Sequence, residues 1–419
     1  MPIHIVVIGA GAAGMVAAAQ AAKNGAKVTL LEKNSKTGVK ILMSGGTRCN
    51  LTHQTDAKGI AAGFGANGRF LQRSVGAFGP RDVVQMFNDL GVATKVESTG
   101  KIFPSSDRAL DVRNALQHDV LRSGVELRLN SGVERVQRDG DGWSVMTGSE
   151  TVFADRLIVT AGGRSWPKCG TSGDAYQWLS DLGHTIVPTR PALVPLVGGL
   201  AWTHDLSGLT LEDCEAFVYR LDKPGGSAVG KPLARRRSSW LFTHFGFSGP
   251  VPMDVSGTLT AADSLADVGL RVDLLPDVTA DELTRQLSDR SGGRGRRTAS
   301  SILREWLPQR LADAIATQVG YDGMLSELPK RHMQQLVTHI KQLPLPVNGT
   351  RGFAKAEVTA GGVSLGEVDP KTMASRIVPG LYIAGEVLDL DGWIGGYNFQ
   401  AAFSTGRAAG IAASLRDAS

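Results

Sequence analysis

The N-terminal segment that ends at Glu32 constrains the fold more than any other part of the chain. Residues 3–8 form an apolar run of strand length, and Gly9-Ala10-Gly11-Ala12-Ala13-Gly14 follows it directly. An alanine-rich helical stretch and a second apolar run, residues 28–31, then lead to Glu32. A strand, a GxGxxG turn, a helix and a strand that ends at an acid is the order of a dinucleotide-binding βαβ unit.

Each glycine of this turn has its own physical role. Gly9 permits the tight turn, Gly11 lets the backbone approach a pyrophosphate, and Gly14 brings the helix close to the strand. The helix N-terminus offers free N–H groups and the positive end of its dipole to the phosphates. Glu32 can accept hydrogen bonds from both ribose hydroxyls, and its charge repels a 2′-phosphate. A glycine-rich turn in some other fold is the alternative interpretation.

Composition narrows the class of protein. A chain of 419 residues is long enough for two or more domains, and its net charge of +5 is only mildly basic. The three cysteines cannot form an even set of disulfides, the apolar N-terminus lacks the basic region of a signal peptide, and no later run is suited to span a bilayer. We therefore expect a cytoplasmic protein. The cysteines and histidines show no zinc-type spacing, so no metal site is expected.

The pattern along the chain predicts a discontinuous domain plan. Strand and helix patterns continue to about residue 190, apart from a glycine-rich loop over residues 38–50 with little regular structure. Short strands broken by proline and glycine indicate a β-rich region over 191–278, and helical periodicity covers 279–343. The last segment returns to a strand and a helix over 398–415. We predict an α/β fold, with a Rossmann-like domain built from residues 1–190 and 348–419 and residues 191–347 inserted.

A second glycine-plus-acid turn favours FAD over a nicotinamide as the bound dinucleotide. Gly385-Glu386 follows a late strand, with Asp389 behind it, at the place where FAD proteins of this architecture pass the ribitol and the second phosphate. The next segment, residues 392–398, begins a helix whose N-terminus could stabilise negative charge on a reduced flavin. A nicotinamide dehydrogenase with a single fingerprint is the alternative.

The chain resembles the BaiN-like family of bacterial FAD flavoproteins over nearly its whole length. The resemblance rests on six motifs, which occupy residues 40–50, 100–104, 241–250, 356–363, 385–389 and 395–400. It implies FAD in an extended conformation with its ring at the junction of two domains, and an insert made of a β-barrel-like domain and a helical cap. The family usually has glycine where this chain has Thr47. Family members are described with different activities, so the resemblance does not identify a substrate.

Several segments supply the predicted cofactor-binding residues. Lys40 and Arg48, on the loop after the ribose acid, could neutralise the pyrophosphate or polarise the flavin. Tyr397 and Asn398 could face the flavin edge, or cap and pack their own helix, and Glu357 is left open. The full predicted set is Gly9, Gly11, Ala12, Ala13, Gly14, Glu32, Lys33, Lys40, Ser44, Gly45, Gly46, Arg48, Cys49, Asn50, Val133, Ala161, Gly162, Gly163, Gly385, Glu386, Asp389, Gly396, Tyr397 and Asn398.

Two side chains have both a chemical and a structural interpretation. His244 lies between apolar residues and is the best candidate for an acid or base near the substrate, because its ordinary pKa is close to neutrality. A satisfied interior histidine is the alternative. Cys49 has no Cys-x-x-Cys partner, so a small packed residue is favoured over a redox thiol.

Two arginine clusters could form a binding surface for nucleic acid. They are Arg235-Arg236-Arg237 and the arginines within residues 294–297. Neither cluster is interleaved with aromatic residues, and no RNA-binding module is recognisable. Solvated loops are therefore favoured, and we expect a small-molecule substrate with no nucleic acid and no membrane as partner. A flavin-containing nucleic-acid binder stays as an alternative.

The combined sequence features predict an FAD-dependent oxidoreductase that transfers a hydride to or from the flavin. The leading hypothesis is oxidation of a small amine or aminoketone with oxygen as acceptor. The main alternative is reduction of an activated C=C bond, as in a steroid-like enone, with NAD(P)H as a transient donor. The absence of a second nucleotide fingerprint favours the first hypothesis.

Overall fold

The computed structural model describes residues 2–291, 297–321 and 323–416. The chain divides into two compact units, the first formed by Met1–Pro191 and Phe353–Ser419, the second by Ala192–Gly352. Each unit has its own hydrophobic core.

The strands of the described residues are β1 (His4–Ile8), β2 (Lys27–Leu31), β3 (Thr52–His53), β4 (Thr94–Val96), β5 (Lys101–Pro104), β6 (Glu126–Arg128), β7 (Val133–Asp139), β8 (Gly142–Thr147), β9 (Thr151–Ala154), β10 (Arg156–Val159), β11 (Ile186–Ala192), β12 (Leu196–Gly198), β13 (Thr210–Leu221), β14 (Ala228–Thr243), β15 (Gly246–Ser248), β16 (Val268–Asp273), β17 (Leu343–Leu345), β18 (Val347–Thr350), β19 (Val358–Val363) and β20 (Leu381–Ile383).

The α-helices are α1 (Ala12–Lys23), α2 (Val39–Met43), α3 (Ala57–Ala62), α4 (Gly68–Ala77), α5 (Pro80–Asp89), α6 (Ala109–Arg122), α7 (Asp174–Asp181), α8 (Ala201–His204), α9 (Pro250–Thr260), α10 (Ala280–Ser291), α11 (Ala299–Leu303), α12 (Gln309–Val319), α13 (Lys330–Lys341) and α14 (Tyr397–Ser414). Short 3₁₀ turns lie at Gly65–Asn67, Pro167–Cys169, Leu265–Asp267, Leu325–Glu327 and Leu365–Glu367.

A five-stranded parallel sheet forms the centre of the first unit. Its order is β20-β10-β1-β2-β6, and every neighbouring pair is parallel. The strands β1, β2 and β10 are buried almost throughout, as expected when both faces of a parallel sheet are covered. Helix α1 connects β1 to β2, and α14 packs against α1. The predicted Rossmann-like α/β fold is confirmed.

Smaller sheets complete the first unit. The predicted meander is present as the antiparallel sheet β7-β8-β9, and β3-β5-β4 forms a second antiparallel sheet. The loop over residues 38–50 differs from the prediction, because α2 occupies its first part. Glycines on either side of Val39–Met43 masked this short helix in the sequence pattern.

The second unit contains a seven-stranded antiparallel sheet of order β17-β16-β13-β14-β15-β12-β18. Its two edge strands, β17 and β18, are separated in the sequence by Pro346 alone. The sheet must therefore curl until its edges approach each other, which gives the predicted barrel-like shape. The strands β13 and β14 are long, whereas the proline and glycine breaks predicted short ones.

Helices cover the buried face of this sheet. Alternate residues of β13, among them Cys214, Ala216 and Val218, point into a core shared with α9 to α13. Helix α9 interrupts the region predicted as β-rich, and α10 to α13 form the predicted helical part. Across both units, none of the described helices is long and apolar enough to cross a membrane.

Candidate active site

The glycine turn between β1 and α1 contains two glycines that packing requires and one that borders open space. A Cβ on Gly14 would lie 1.9 Å from the Gly9 carbonyl oxygen. A Cβ on Gly9, where φ is +97°, would lie 2.8 Å from the Thr160 carbonyl oxygen. A Cβ on Gly11 would meet no heavy atom within 4 Å, and its φ of −81° suits any residue. Packing therefore requires Gly9 and Gly14, whereas Gly11 borders open space.

The N-terminus of α1 has the features of an anion-binding site. No side chain caps this helix, and its first turn contains no acidic residue. Ala12 and Ala13 contribute only methyl groups, so they leave the first N–H groups of the helix unobstructed. These unsatisfied donors, together with the helix dipole, favour a phosphate group in front of Gly11.

Glu32 lies at the end of β2 and is 7% exposed. Its Oε2 accepts a hydrogen bond from the Ala10 N–H at 2.8 Å, and its Oε1 accepts from the backbone and side-chain N–H groups of Asn34 at 2.9 and 2.7 Å. A carboxylate offers about four acceptor positions, so Oε2 retains capacity for a ribose hydroxyl. Lys33 is exposed, and its ammonium binds Ser172 and Asp174, each at 2.7 Å.

Lys40 is the centre of a polar network that the sequence did not predict. Its Nζ donates to Ser165 Oγ and to Glu386 Oε2, both at 2.5 Å. Ser165 also donates to Glu386 Oε1 at 2.5 Å, and the Thr359 N–H donates to the same oxygen at 3.0 Å. Residues from four distant parts of the chain thus meet here. Glu386 balances the Lys40 charge, and a contact of Lys40 with the pyrophosphate or the flavin stays a prediction.

The segment from Ser44 to Cys49 has an unusual backbone. Gly45, Gly46, Thr47 and Cys49 all have positive φ, of 54°, 66°, 69° and 62°. The Ser44 hydroxyl donates to the Ile41 carbonyl at 2.8 Å and closes helix α2. Cys49 is fully buried, and burial raises the pKa of its thiol to about 12. A hydrogen bond with Ser44 acts in the opposite direction but is the smaller effect. The thiolate needed for redox chemistry is therefore disfavoured.

Arg48 is held in an ion-pair network. Its guanidinium pairs with Glu97 and with Asp107, the latter at 2.9 Å, and lies 4.0 Å above the Phe103 ring. Asn50 is buried next to this loop. With its amide oriented to satisfy its neighbours, Asn50 donates to the Thr52 carbonyl at 2.9 Å. These contacts stabilise the loop and are compatible with a cofactor beside it.

The C-terminal glycine turn packs against the N-terminal one. A Cβ on Gly385 would lie 2.9 Å from the Ala13 Cβ, and the Gly385 N–H donates to Thr405 Oγ1 at 3.1 Å. Asp389 Oδ1 accepts from the Gly361 N–H at 3.0 Å. The two segments predicted to bind one dinucleotide are therefore adjacent in the same unit.

Three predicted residues at the start of α14 make structural contacts. Gly396, with φ +91°, approaches the Thr52 backbone so closely that a Cβ would lie 2.6 Å from it. Tyr397 is buried and its ring lies 5.2 Å from His53. Asn398 accepts from the Gly392 N–H at 2.8 Å and donates to the Gly392 carbonyl at 2.9 Å. A role for Tyr397 and Asn398 at the flavin stays a prediction.

The other predicted contacts lie at strand ends of the first unit. Val133 is half-buried and begins β7. Ala161, Gly162 and Gly163 follow β10, and a Cβ on Gly163 would lie 2.4 Å from Thr359 Oγ1. Residues 161–163 thus lie at the carboxyl end of the parallel sheet, where ligands of open α/β sheets bind.

Several polar residues of the first unit were not predicted as part of the site. The Tyr176 hydroxyl and the Arg190 Nε are buried and have no hydrogen-bond partner among the described residues. Burial raises the pKa of Asp391 to about 6, and the nearby Arg190 charge opposes that effect. Burial also raises the pKa of Glu357, against the Lys40 charge and a hydrogen bond from Trp166. No local motif marks these residues, because tertiary packing brings them together.

His244 lies in the second unit, on the turn between β14 and β15. Its side chain is exposed and meets the Phe245 ring edge to face at 5.1 Å. It is therefore not an interior histidine, and its proposed acid/base role stays a prediction.

The arginine run of β14 is neutralised within the same unit. Arg235 pairs with Glu215 at 2.5 Å, and Arg236 with the buried Asp254 at 2.8 Å. Arg237 pairs with Asp213 and Asp277, each at 2.6 Å. Of the second cluster, Arg294 and Arg296 lie outside the described residues, whereas Arg297 pairs with Glu305.

FAD fits the arrangement of the first unit. The open space at Gly11 and the uncapped end of α1 suit a pyrophosphate, and Glu32 retains acceptor capacity for the ribose. The buried hydroxyl of Tyr176 and the buried Nε of Arg190 are donors that still lack acceptors among the described residues. Arg113 Nε and Trp143 Nε1 of the same unit lack partners among the described residues as well, so the fit rests on the glycine turn and Glu32.

Comparisons with known proteins agree with this assignment. The family model described as "HI0933-like protein Rossmann domain" matches residues 3–412. The chain is 33% identical to a protein of Escherichia coli K12 named ribosomal RNA dihydrouridine synthase, over 96% of this chain and 95% of that protein. It is 32% identical to the 3-dehydro-bile acid delta(4,6)-reductase of Clostridium scindens, over 99% of both chains.

Solved structures share the fold at low sequence identity. The 3-ketosteroid-delta4-(5alpha)-dehydrogenase of Rhodococcus jostii RHA1 is 16% identical, with a TM-score of 0.51 and coverage of 99% of this chain and 97% of that one. The 3-ketosteroid delta1-dehydrogenase of Sterolibacterium denitrificans gives the same TM-score, 0.51, at 14% identity. With the family model and the relatives, these matches show that the chain belongs to the HI0933-like Rossmann family and is an FAD-dependent oxidoreductase.

Proposed function

We propose that this protein reduces a C=C bond that is conjugated to a carbonyl group. The observation that carries the proposal is that two relatives, each about a third identical over nearly the whole chain, are named for such a reduction. Dihydrouridine arises by saturation of the uracil C5=C6 bond, and a delta(4,6)-reductase saturates a dienone. The two relatives act on different substrates. Their similarity to this chain therefore indicates a common type of reaction rather than a common substrate.

The first unit supplies the groups that such a reaction needs. FAD, once bound and reduced by a nicotinamide, would supply the hydride for the β-carbon. The Gly11 turn and Glu32 would hold the dinucleotide. Lys40 forms an ion pair with Glu386 and donates to Ser165, so it would hold these two residues in place near Glu357.

Glu357 is our candidate for the group that delivers the proton to the α-carbon. It is half-buried and lies near the Lys40 charge. Because burial raises its pKa, the carboxyl retains a proton to a higher pH than an exposed glutamate does. One hydride and one proton then saturate the bond.

Oxidation of a small amine or aminoketone is the second candidate, as predicted from the sequence. It uses the same cofactor site but needs a basic group to accept a proton from the substrate. The names of the two relatives favour reduction over this candidate.

Anaerobic spectroscopy distinguishes the two reactions. We expect NADH or NADPH to bleach the flavin band of the purified protein, and a conjugated substrate, uridine or a 4-en-3-one steroid, to restore it. The Glu357→Gln variant should bleach normally but recover more slowly, with a flatter dependence on pH. If aminoacetone bleaches the flavin while both nicotinamides leave it unchanged, the oxidase is correct and the reductase is wrong.

A further inference from the structure

Three side chains of the second unit meet beside the short strand β12. Arg351 directly follows β18, and His244 and Phe245 lie on the turn between β14 and β15. The Arg351 guanidinium lies 4.6 Å from the centre of the Phe245 ring, and the centre of the His244 ring lies 5.1 Å from the same point. These three residues are called the Arg351 cluster below.

Strand β12 holds the two segments of the cluster in place. It pairs with β15 on one side and with β18 on the other. The Arg351 N–H donates to the Pro195 carbonyl at 3.1 Å, just before β12, and the Gly198 N–H, at its end, donates to the Phe245 carbonyl at 3.1 Å. The sheet therefore fixes the backbone of both segments.

The sheet surface between the two segments has few side chains. Val197 of β12 is half-buried, and its register partners are Gly246 on β15 and Gly349 on β18. A Cβ on Gly349 would meet no heavy atom within 4 Å. Arg351 lies two residues beyond Gly349, and residues two apart in an extended chain face the same side of a sheet. Open space next to Val197 is therefore on the side where Arg351 lies.

The charge of Arg351 is not compensated within the described part of the chain. Its guanidinium is exposed, forms no ion pair there and has the Phe245 ring as its side-chain contact. The His244 imidazole is also exposed and has no hydrogen-bond partner among the described residues. The arginines of β14 at 235–237 are the opposite case, because each pairs with a carboxylate. The Arg351 cluster therefore has unused donors for an anion.

A carboxylate is the anion that these donors fit best. The Phe245 ring attracts the guanidinium and restricts its motion, and the planar N–H groups of arginine match the two oxygens of a carboxylate. A neutral imidazole supplies one further N–H in either tautomer. A polyanion needs a series of cations along its backbone, whereas this cluster contains one arginine.

We propose that the Arg351 cluster binds the carboxylate group of a small organic acid, whose apolar part lies on Val197. Arg351 binds the two carboxylate oxygens, Phe245 keeps the guanidinium in place, and His244 supplies a further donor at the same ring. The site belongs to the second unit alone, and it goes beyond the proposed function because the reduction of a conjugated C=C bond does not require it.

Titration of the full-length, FAD-loaded protein with benzoate, followed by NMR of the ligand, tests the proposal. Benzamide is the control ligand, because it has nearly the same shape and no charge, and we expect it to bind at least about tenfold more weakly than benzoate. Arg351→Gln should weaken benzoate binding by about tenfold or more, the usual loss for a hydrogen-bonded charge pair. The matched control is Arg331→Gln, which removes an exposed arginine from α13 and should bind benzoate like the wild type.

Two further variants separate the contributions of shape and charge. Arg351→Lys retains the charge without the planar donors, so its affinity for benzoate should lie between those of the wild type and Arg351→Gln. Phe245→Leu should bind benzoate about two- to fivefold more weakly, because the ring no longer holds the guanidinium. Equal affinity of the wild type and Arg351→Gln for benzoate, or equal affinity of the wild type for benzoate and benzamide, would overturn the proposal. Tighter binding of inorganic phosphate than of benzoate would also overturn it, and would assign the cluster to a different anion.

Discussion

Thr47 has a backbone conformation that is unfavourable for its residue type. Its φ is 69°, and a β-branched residue in the left-handed region loses about 1–2 kcal/mol. Glycine removes that strain but costs about 0.5–1 kcal/mol in the entropy of the unfolded chain. We therefore predict that Thr47→Gly raises the free energy of unfolding by about 0.5–1 kcal/mol, measured by urea denaturation. Thr47→Ala is the control, because alanine retains the left-handed strain, and an equal gain in both variants would contradict this explanation.

His184 is buried between two polar partners of the first unit. Its Nδ1 lies 3.1 Å from Glu367 Oε2, and its Nε2 lies 2.8 Å from Ser375 Oγ. Ser375 Oγ accepts from two backbone N–H groups, so its own hydrogen points to Nε2. The imidazole is therefore neutral, with its proton on Nδ1. Burial lowers its pKa, although the Glu367 carboxylate opposes that effect.

The lowered pKa of His184 predicts a loss of stability in mild acid. The unfolded chain takes up the proton at about pH 6.5, whereas the folded protein resists it to lower pH. The contribution is complete above about pH 6.5 and is lost as the pH falls toward the folded pKa. Urea denaturation at pH 7.5 and 5.5 should show a larger decrease for the wild type than for His184→Gln. Identical decreases would contradict the neutral, buried state of His184.

At the level of elements, two glycines determine how α14 packs against α1. A Cβ on Gly406 would lie 2.3 Å from the Ala13 carbonyl oxygen, and one on Gly410 would lie 2.4 Å from the Ala17 carbonyl oxygen. The close contact holds the two segments of the first unit together. A side chain at either position must separate the helices, because carbonyl groups within a helix cannot move aside.

Alanine substitutions at two helical glycines should have opposite effects. We predict that Gly410→Ala lowers the free energy of unfolding by about 1–3 kcal/mol through overpacking, although alanine is the better helix former. The matched control is Gly76→Ala in α4, where a Cβ meets nothing within 4 Å. This control should gain about 1 kcal/mol. A gain in both variants, measured by urea denaturation, would contradict the tight contact between α14 and α1.

The sequence predicted the elements whose signals are local. The unit β1-α1-β2, the meander β7-β8-β9 and helix α14 all follow from periodicity and turn residues within short windows. It did not predict α2, which lies among glycines, or the full length of β13 and β14. Those two strands pair on both sides of a register shift between Val218 and Arg220. Residues 230–233, which include Gly230 and Pro232, have no partner in that register, so the breaks interrupt the pairing without ending β14.

At the level of the whole molecule, the contacts that define the site join residues far apart in the sequence. Lys40 meets Glu386, and each of the arginines at 235–237 finds its carboxylate on another element of its unit. Neither pairing leaves a trace in a local pattern. The sequence therefore favoured a solvated loop for Arg235–Arg237, whereas these residues lie on the strand β14 and are paired with carboxylates. The glycine turn was predictable because its backbone geometry requires glycines at fixed positions in the sequence.

The cofactor site at this turn is the central claim, because the proposed reduction depends on it. The most direct test is the FAD content of Gly11→Val, with Gly349→Val as the matched control. A Cβ at either position meets no heavy atom within 4 Å, so neither substitution should prevent folding. We predict that Gly11→Val is colourless while Gly349→Val retains the flavin band. A folded Gly11→Val protein with its full complement of FAD would contradict the placement of the cofactor.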